Sequence, residues 1–119
     1  MKDELDLPAR TKQFARRIIR FYCALPKSST VAQVLGKQVL RSGTSVGANY
    51  REAFRARSKA EFIAKISDCL KEADETLYWL ELLLEEQILA ANLLQPLVGE
   101  ANELVAIFTT VAKRAKVNA

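Results

Sequence analysis

The chain has 119 residues, 50% of them hydrophobic and 27% charged, with a net charge of +4 and no histidine. That length suits one domain around a single core. The missing imidazole removes the commonest general base, the commonest metal ligand and the usual sensor of neutral pH.

Residues 1–6 are polar and expected to fray. Their acidic, non-apolar start is not the composition of a signal peptide. A first helix over about 8–25 is expected to open at Pro8, with Asp6 as its cap. Leu7, Thr11, Phe14, Ile18, Phe21 and Leu25 repeat at spacings of four and three. Such a seam belongs to a helix in a bundle. Pro26 closes the helix, because the residue before a proline avoids helical backbone.

Thr30 and Gln33 form a possible capping box for a second helix over about 30–57. Its expected inner face is Val31, Leu35, Val39, Ser42, Val46, Asn49, Ala53 and Ala56. Ser58 and Glu61 form another box, opening a third helix over about 59–87. There Phe62, Ile66, Cys69, Ala73, Thr76, Leu80 and Leu83 make the seam. Tyr78 and Leu82 lie about 160° from Leu80, so this helix is apolar on its back as well. A fourth helix over about 91–116 carries Leu94, Leu97, Ala101, Leu104, Phe108, Val111 and Ala115. No cap marks its start, and Pro96 must sit in its first turns or kink it. Cys23 and Cys69 read as small buried hydrophobes in a reduced, cytoplasmic setting. No run of about 18 apolar residues exists, so no membrane span is expected. The expectation for residues 1–119 is a single all-α domain, an antiparallel, up-down-up-down, left-handed four-helix bundle.

The segment Arg41-Ser42-Gly43-Thr44-Ser45-Val46-Gly47-Ala48-Asn49-Tyr50-Arg51-Glu52-Ala53 is the oddity. Its glycines, hydroxyls and amide weaken a helix by about 3 kcal/mol relative to alanine. Close packing explains them. Gly43 and Gly47 share a face on which another backbone can approach. Ser42, Ser45 and Asn49 are expected in a buried polar layer, with Asn49 bonded to Glu72 or Glu75. Gly43, Gly47, Tyr50 and Phe54, with Tyr78 and Leu82, are also expected to form a subunit interface.

Charge is uneven. Residues 1–65 carry 14 Lys/Arg and five Asp/Glu, whereas residues 66–119 carry four and nine. The cations Lys37, Arg41, Arg51, Arg55, Arg57 and Lys59, with Arg10, Arg17 and Arg20, form a possible phosphate-contacting surface. The alternative is solvated helix faces and pairing with the acidic half. Tyr78 and Trp79 are assigned to packed interfaces, so phosphate contacts should dominate over base stacking. Glu72, Asp74, Glu75 and Glu81 invite a di-metal reading, but such bundle sites use Glu-x-x-His pairs. No phosphate loop or nucleophile-base pair is present, so no enzymatic site, metal or cofactor is expected.

The 41–53 segment continues into Arg55-Ala56-Arg57-Ser58-Lys59-Ala60-Glu61-Phe62-Ile63. After it comes Leu70-Lys71-Glu72-Ala73-Asp74-Glu75-Thr76-Leu77-Tyr78-Trp79-Leu80-Glu81-Leu82-Leu83. Together these resemble the bundle proteins encoded in intervening sequences of bacterial 23S ribosomal RNA genes. The resemblance implies a homo-oligomeric ring, typically a pentamer, without established enzymatic activity. A related branch comprises accessory proteins of diversity-generating retroelements, which bind RNA and a reverse transcriptase. It therefore implies either a nucleic-acid-binding (RNA or DNA) accessory factor or a protein-protein assembly scaffold.

Overall fold

A computed structural model describes residues 6–118. Four helices follow in order: α1 (Leu7–Cys23), α2 (Thr30–Phe54), α3 (Lys59–Glu85) and α4 (Ala91–Val117). They form an all-α bundle measuring 49 × 19 × 19 Å. Each helix packs along its successor, while α1 and α4 touch only lightly. Contacts run in opposite senses along neighbouring helices: Glu52, Val46 and Ser42 meet Lys65, Cys69 and Thr76, and Gly47, Gly43 and Gly36 face Thr11, Ile18 and Leu25. Polar links tie the bundle further. Arg41 of α2 meets Glu72 and Glu75 of α3. Arg10, early in α1, meets Glu100 of α4. Lys59 Nζ, at the start of α3, donates to the Asn118 carbonyl just beyond α4, at 2.9 Å. The expected fraying at residues 1–6 falls, Asp6 aside, outside the described residues.

The seams of α1, α3 and α4 are as the spacing predicts. Leu7, Thr11, Phe14 and Ile18 are buried in α1, and Ile66, Cys69, Ala73, Thr76, Leu80 and Leu83 in α3. Leu94, Leu97, Ala101, Leu104 and Phe108 are buried in α4, and at its end Ala112 is buried in place of the expected Val111 and Ala115. The helix continues through Pro96 without a break. The α2 stripe is wider than the expected one: Val39, Ser42, Val46 and Ala53 are buried as the spacing predicts, with a second row beside them. Ala32, Gly36, Gly43 and Tyr50 are buried, whereas Val31 is half exposed. The reason is that α2 packs against both α1 and α3, so its small residues take the α1 side. A methyl group at Gly43 would lie 2.8 Å from Ile18 Cγ1, and one at Gly47 3.2 Å from the Thr11 carbonyl oxygen. The close approach expected of these glycines is therefore made by α1. Gly43 and Tyr50 are buried within one protomer, which corrects their expected use as a spare interface face.

The buried polar contact also differs from the expected one. Ser42 and Thr76 are the fully buried hydroxyls at the α2–α3 contact, their oxygens 2.8 Å apart. Ser42 donates onward to the Gln38 carbonyl. Asn49 instead turns back on its own helix, donating to the Ser45 carbonyl at 2.9 Å. Glu72 and Glu75 pair with Arg41. The helix register explains it: Val46 lies against Cys69 and Glu52 against Lys65, so Asn49 is level with residues 65–69 of α3, short of Glu72 and Glu75.

Helix ends supply the remaining corrections. Ser29 rather than Thr30 caps α2, accepting from Ala32 N at 3.1 Å, while Gln33 Nε2 reaches the Pro26 carbonyl. Asp6 makes no side-chain cap bond. Ser58 does cap α3, accepting from Glu61 N at 3.0 Å. Helix α1 stops at Cys23, where tightened bonds from Ala24 to Phe21 and from Leu25 to Tyr22 replace another turn before Pro26. Likewise α2 stops at Phe54, because Ser58 must become extended to cap α3. The unmarked end of α3 proves well made. Gln87 adopts φ 54°, and Ile88 N bonds to Leu83 O as Gln87 N bonds to Leu84 O. This is a Schellman motif with glutamine in place of glycine. Cys69 is buried, donates to the Val46 carbonyl and has its thiol pKa pushed up to about 12 by burial. Cys23, by contrast, is exposed at the end of α1.

Candidate nucleic-acid interface

The expected cationic set is sorted by the fold into bound and available members. Arg10 Nε and Nη2 donate to both Glu100 carboxylate oxygens, at 2.8 and 2.9 Å, and Nη2 reaches Glu103. The Glu100 hydrogen bond raises the Arg10 pKa well above its ordinary value, against the opposing effect of burial. Arg10 thus serves as the α1–α4 clasp. Arg41 spans Glu72 and Glu75, and the same Glu75 accepts from Trp79 Nε1 at 3.2 Å. These two arginines are withdrawn from any phosphate surface. Arg17 and Arg20 line a different groove, between the end of α1 and the start of α4, with Phe21 and Leu93. Lys37 is exposed in the first half of α2.

What remains together is one end of the bundle. Arg51 closes α2, Arg55 follows it, and Arg57 lies in the turn; all three are exposed. Among the described residues no carboxylate lies within ion-pair distance of Arg51, Arg55 or Arg57. The nearby Glu52 is taken by Lys65 at 2.7 Å, a contact that raises the Lys65 pKa. Lys59 lies beside them and closes the α4 carbonyl end. That bond brings the last turns of α4, with Lys113, Arg114 and Lys116, to the same end. Lys12 joins from α1, lining a groove of about 600 Å³ with Thr11, Gly47, Arg51, Phe54 and Arg55. Lys12 and the α4 cations escaped the sequence reading, because their grouping follows from helix direction rather than from spacing. Of the apolar positions, Phe54 is 68% and Tyr78 54% exposed, while Leu82 is half-buried.

No three His/Cys/Asp/Glu side chains converge to hold a metal among the described residues. Nor is any helix there long and apolar enough to cross a membrane.

Fold and surface together define a small antiparallel four-helix bundle with a cluster of arginines at its α2–α3 turn. Residues 3–110 match the 23S rRNA-intervening sequence protein family, and the chain belongs to that family. A crystal structure from Bacteroides thetaiotaomicron, of a protein with unknown function from the S23 ribosomal protein family, is similar to it at TM-score 0.82 and 38% identity. The similarity covers 90% of this chain and 98% of that one. No curated protein matches significantly.

Proposed function

We propose that this protein is a non-enzymatic, oligomeric nucleic-acid-binding factor that holds RNA through its cationic end. The observation carrying this reading is the contrast within the arginines. Arg10 and Arg41 are neutralised by carboxylates, whereas Arg51, Arg55 and Arg57 stand exposed together. A planar guanidinium binds two phosphate oxygens at once. Contacts of this kind position a strand without reading its sequence. Assembly would repeat the patch and raise its effective concentration. The exposed Tyr78, with Leu82 beside it on the back of α3, supports a homo-oligomeric contact. Five copies is the number the family resemblance implies.

The test is binding of a structured RNA across a salt series, alongside light scattering. The expected result is affinity falling linearly with log salt, with a slope of about −0.7 to −0.9 per phosphate engaged, and a mass several times 13.3 kDa. An oligomer that binds no RNA even at low salt would leave the assembly-scaffold reading in its place.

A further inference from the structure

Phe54 is the least explained side chain of this end. It is 68% exposed, yet its ring does not hang free. It lies 6.3 Å from the Tyr50 ring, which lies 6.0 Å from the fully buried Phe108 ring. A line of three rings thus runs from the core to the surface and braces the outermost one. Phe54 also borders the groove between α1 and α2, whose floor is kept low by small residues such as Gly47, Ala48 and Ala15. At about 600 Å³ the groove is within the range of small-molecule sites. Its rim carries Lys12, Arg51 and Arg55. The one acid there, Glu52, is engaged by Lys65.

An apolar ring held outward and a cationic rim match a ligand with a flat apolar face and adjoining negative charge. We infer that this groove receives an unpaired nucleotide, its base stacked on Phe54 and the flanking phosphates on Lys12, Arg51 and Arg55. The inference rests on the nucleic-acid reading above and deepens it, making the cationic end selective for single strands. A paired base keeps its faces covered within the duplex and cannot enter. An aromatic platform beside cations is sequence-tolerant, because every base has a π-face.

The experiment is fluorescence anisotropy with an unstructured 12-nucleotide RNA and a blunt 12-base-pair RNA duplex. The full chain is compared with Phe54→Ala, Phe54→Tyr and Ala48→Leu. Phe54→Ala should weaken single-strand binding about tenfold, with duplex affinity and salt slope unchanged. Phe54→Tyr should retain binding, and Ala48→Leu, which raises the groove floor, should reproduce the loss. If Phe54→Ala unfolds, Ala48→Leu decides alone. Equal loss on both RNAs, or no loss on either, overturns the inference while leaving the cationic-end reading standing. Competition by a polyglutamate peptide that depends on Phe54 also overturns it, in favour of an acidic peptide. Wild-type protein that binds neither RNA overturns both readings.

Discussion

The two ends of the bundle are built from the same helices but present different chemistry. At the α2–α3 turn, cations from α2, the turn and the end of α4 converge, and of the carboxylates among them Glu52 is engaged by Lys65. At the other end the exposed cations Arg16, Arg20 and Lys27 are interspersed with the exposed apolar residues Val31, Val34 and Leu93, and Ile19 near the end of α1. Between the ends, Arg10 and Arg41 are consumed by Glu100, Glu72 and Glu75. The difference teaches that a charge surplus in a stretch of sequence is not a binding surface. What counts is which cations the fold leaves without a carboxylate.

The largest effect is expected from charge. Changing Arg51, Arg55 and Arg57 to glutamine should lower single-strand affinity more than about 30-fold at roughly 50 mM salt and reduce the log–log slope by about two. The matching change of Arg16, Arg17 and Arg20 should cost less than about threefold. Equal losses would erase the distinction between the ends.

The clasp between them comes next. Arg10→Ala should lower stability by about 1–3 kcal/mol, because it strands the mostly buried Glu100. Arg41→Ala, at a 51% exposed side chain, should cost no more than about 1 kcal/mol. Denaturant midpoints check both, and a reversed order would show that α1 is not held by its ion pair.

Smaller effects sharpen the packing side. Gly43→Ala should destabilise by about 1 kcal/mol, as crowding against Ile18 exceeds the helix-propensity gain. Gly99→Ala, in open space on α4, should stabilise by up to about 1 kcal/mol. Smallest, Gln87→Gly should add about 0.5–1 kcal/mol by relieving the positive φ. Thermal melts of the three variants should show two signs, and a loss at Gln87→Gly would mean its side chain makes contacts worth more than the strain.

Most of this fold is legible in the sequence, for a physical reason. Where the buried stripe is mostly apolar, as in α3, period 3.5 names the buried residues almost one for one. For α2 it names Val39, Ser42, Val46 and Ala53 but misses Gly36 and Gly43, because glycine has no hydrophobicity to register yet occupies the tightest contact with α1. Asn49 departs from the expected layer for a related reason. A lone amide in a small-residue helix reads as a core polar group, but it can satisfy itself on the preceding turn. The site was half legible. Arg51, Arg55, Arg57 and Lys59 are adjacent in sequence and stay adjacent in space. Lys12, Lys113, Arg114 and Lys116 join them only through helix direction. Nothing in the spacing of Arg10 and Arg41 announces the carboxylates that claim them.

Hydrogen–deuterium exchange with and without an unstructured RNA at low salt tests the central claim most directly, because it locates the contact. Protection should appear over residues 51–61 and 113–118, with the α1 turn around Lys12, and be absent over residues 17–34 and 85–93. Protection concentrated instead around Ile19, Val31 and Leu93, or none at any segment, would contradict the assignment of the cationic end as the nucleic-acid surface.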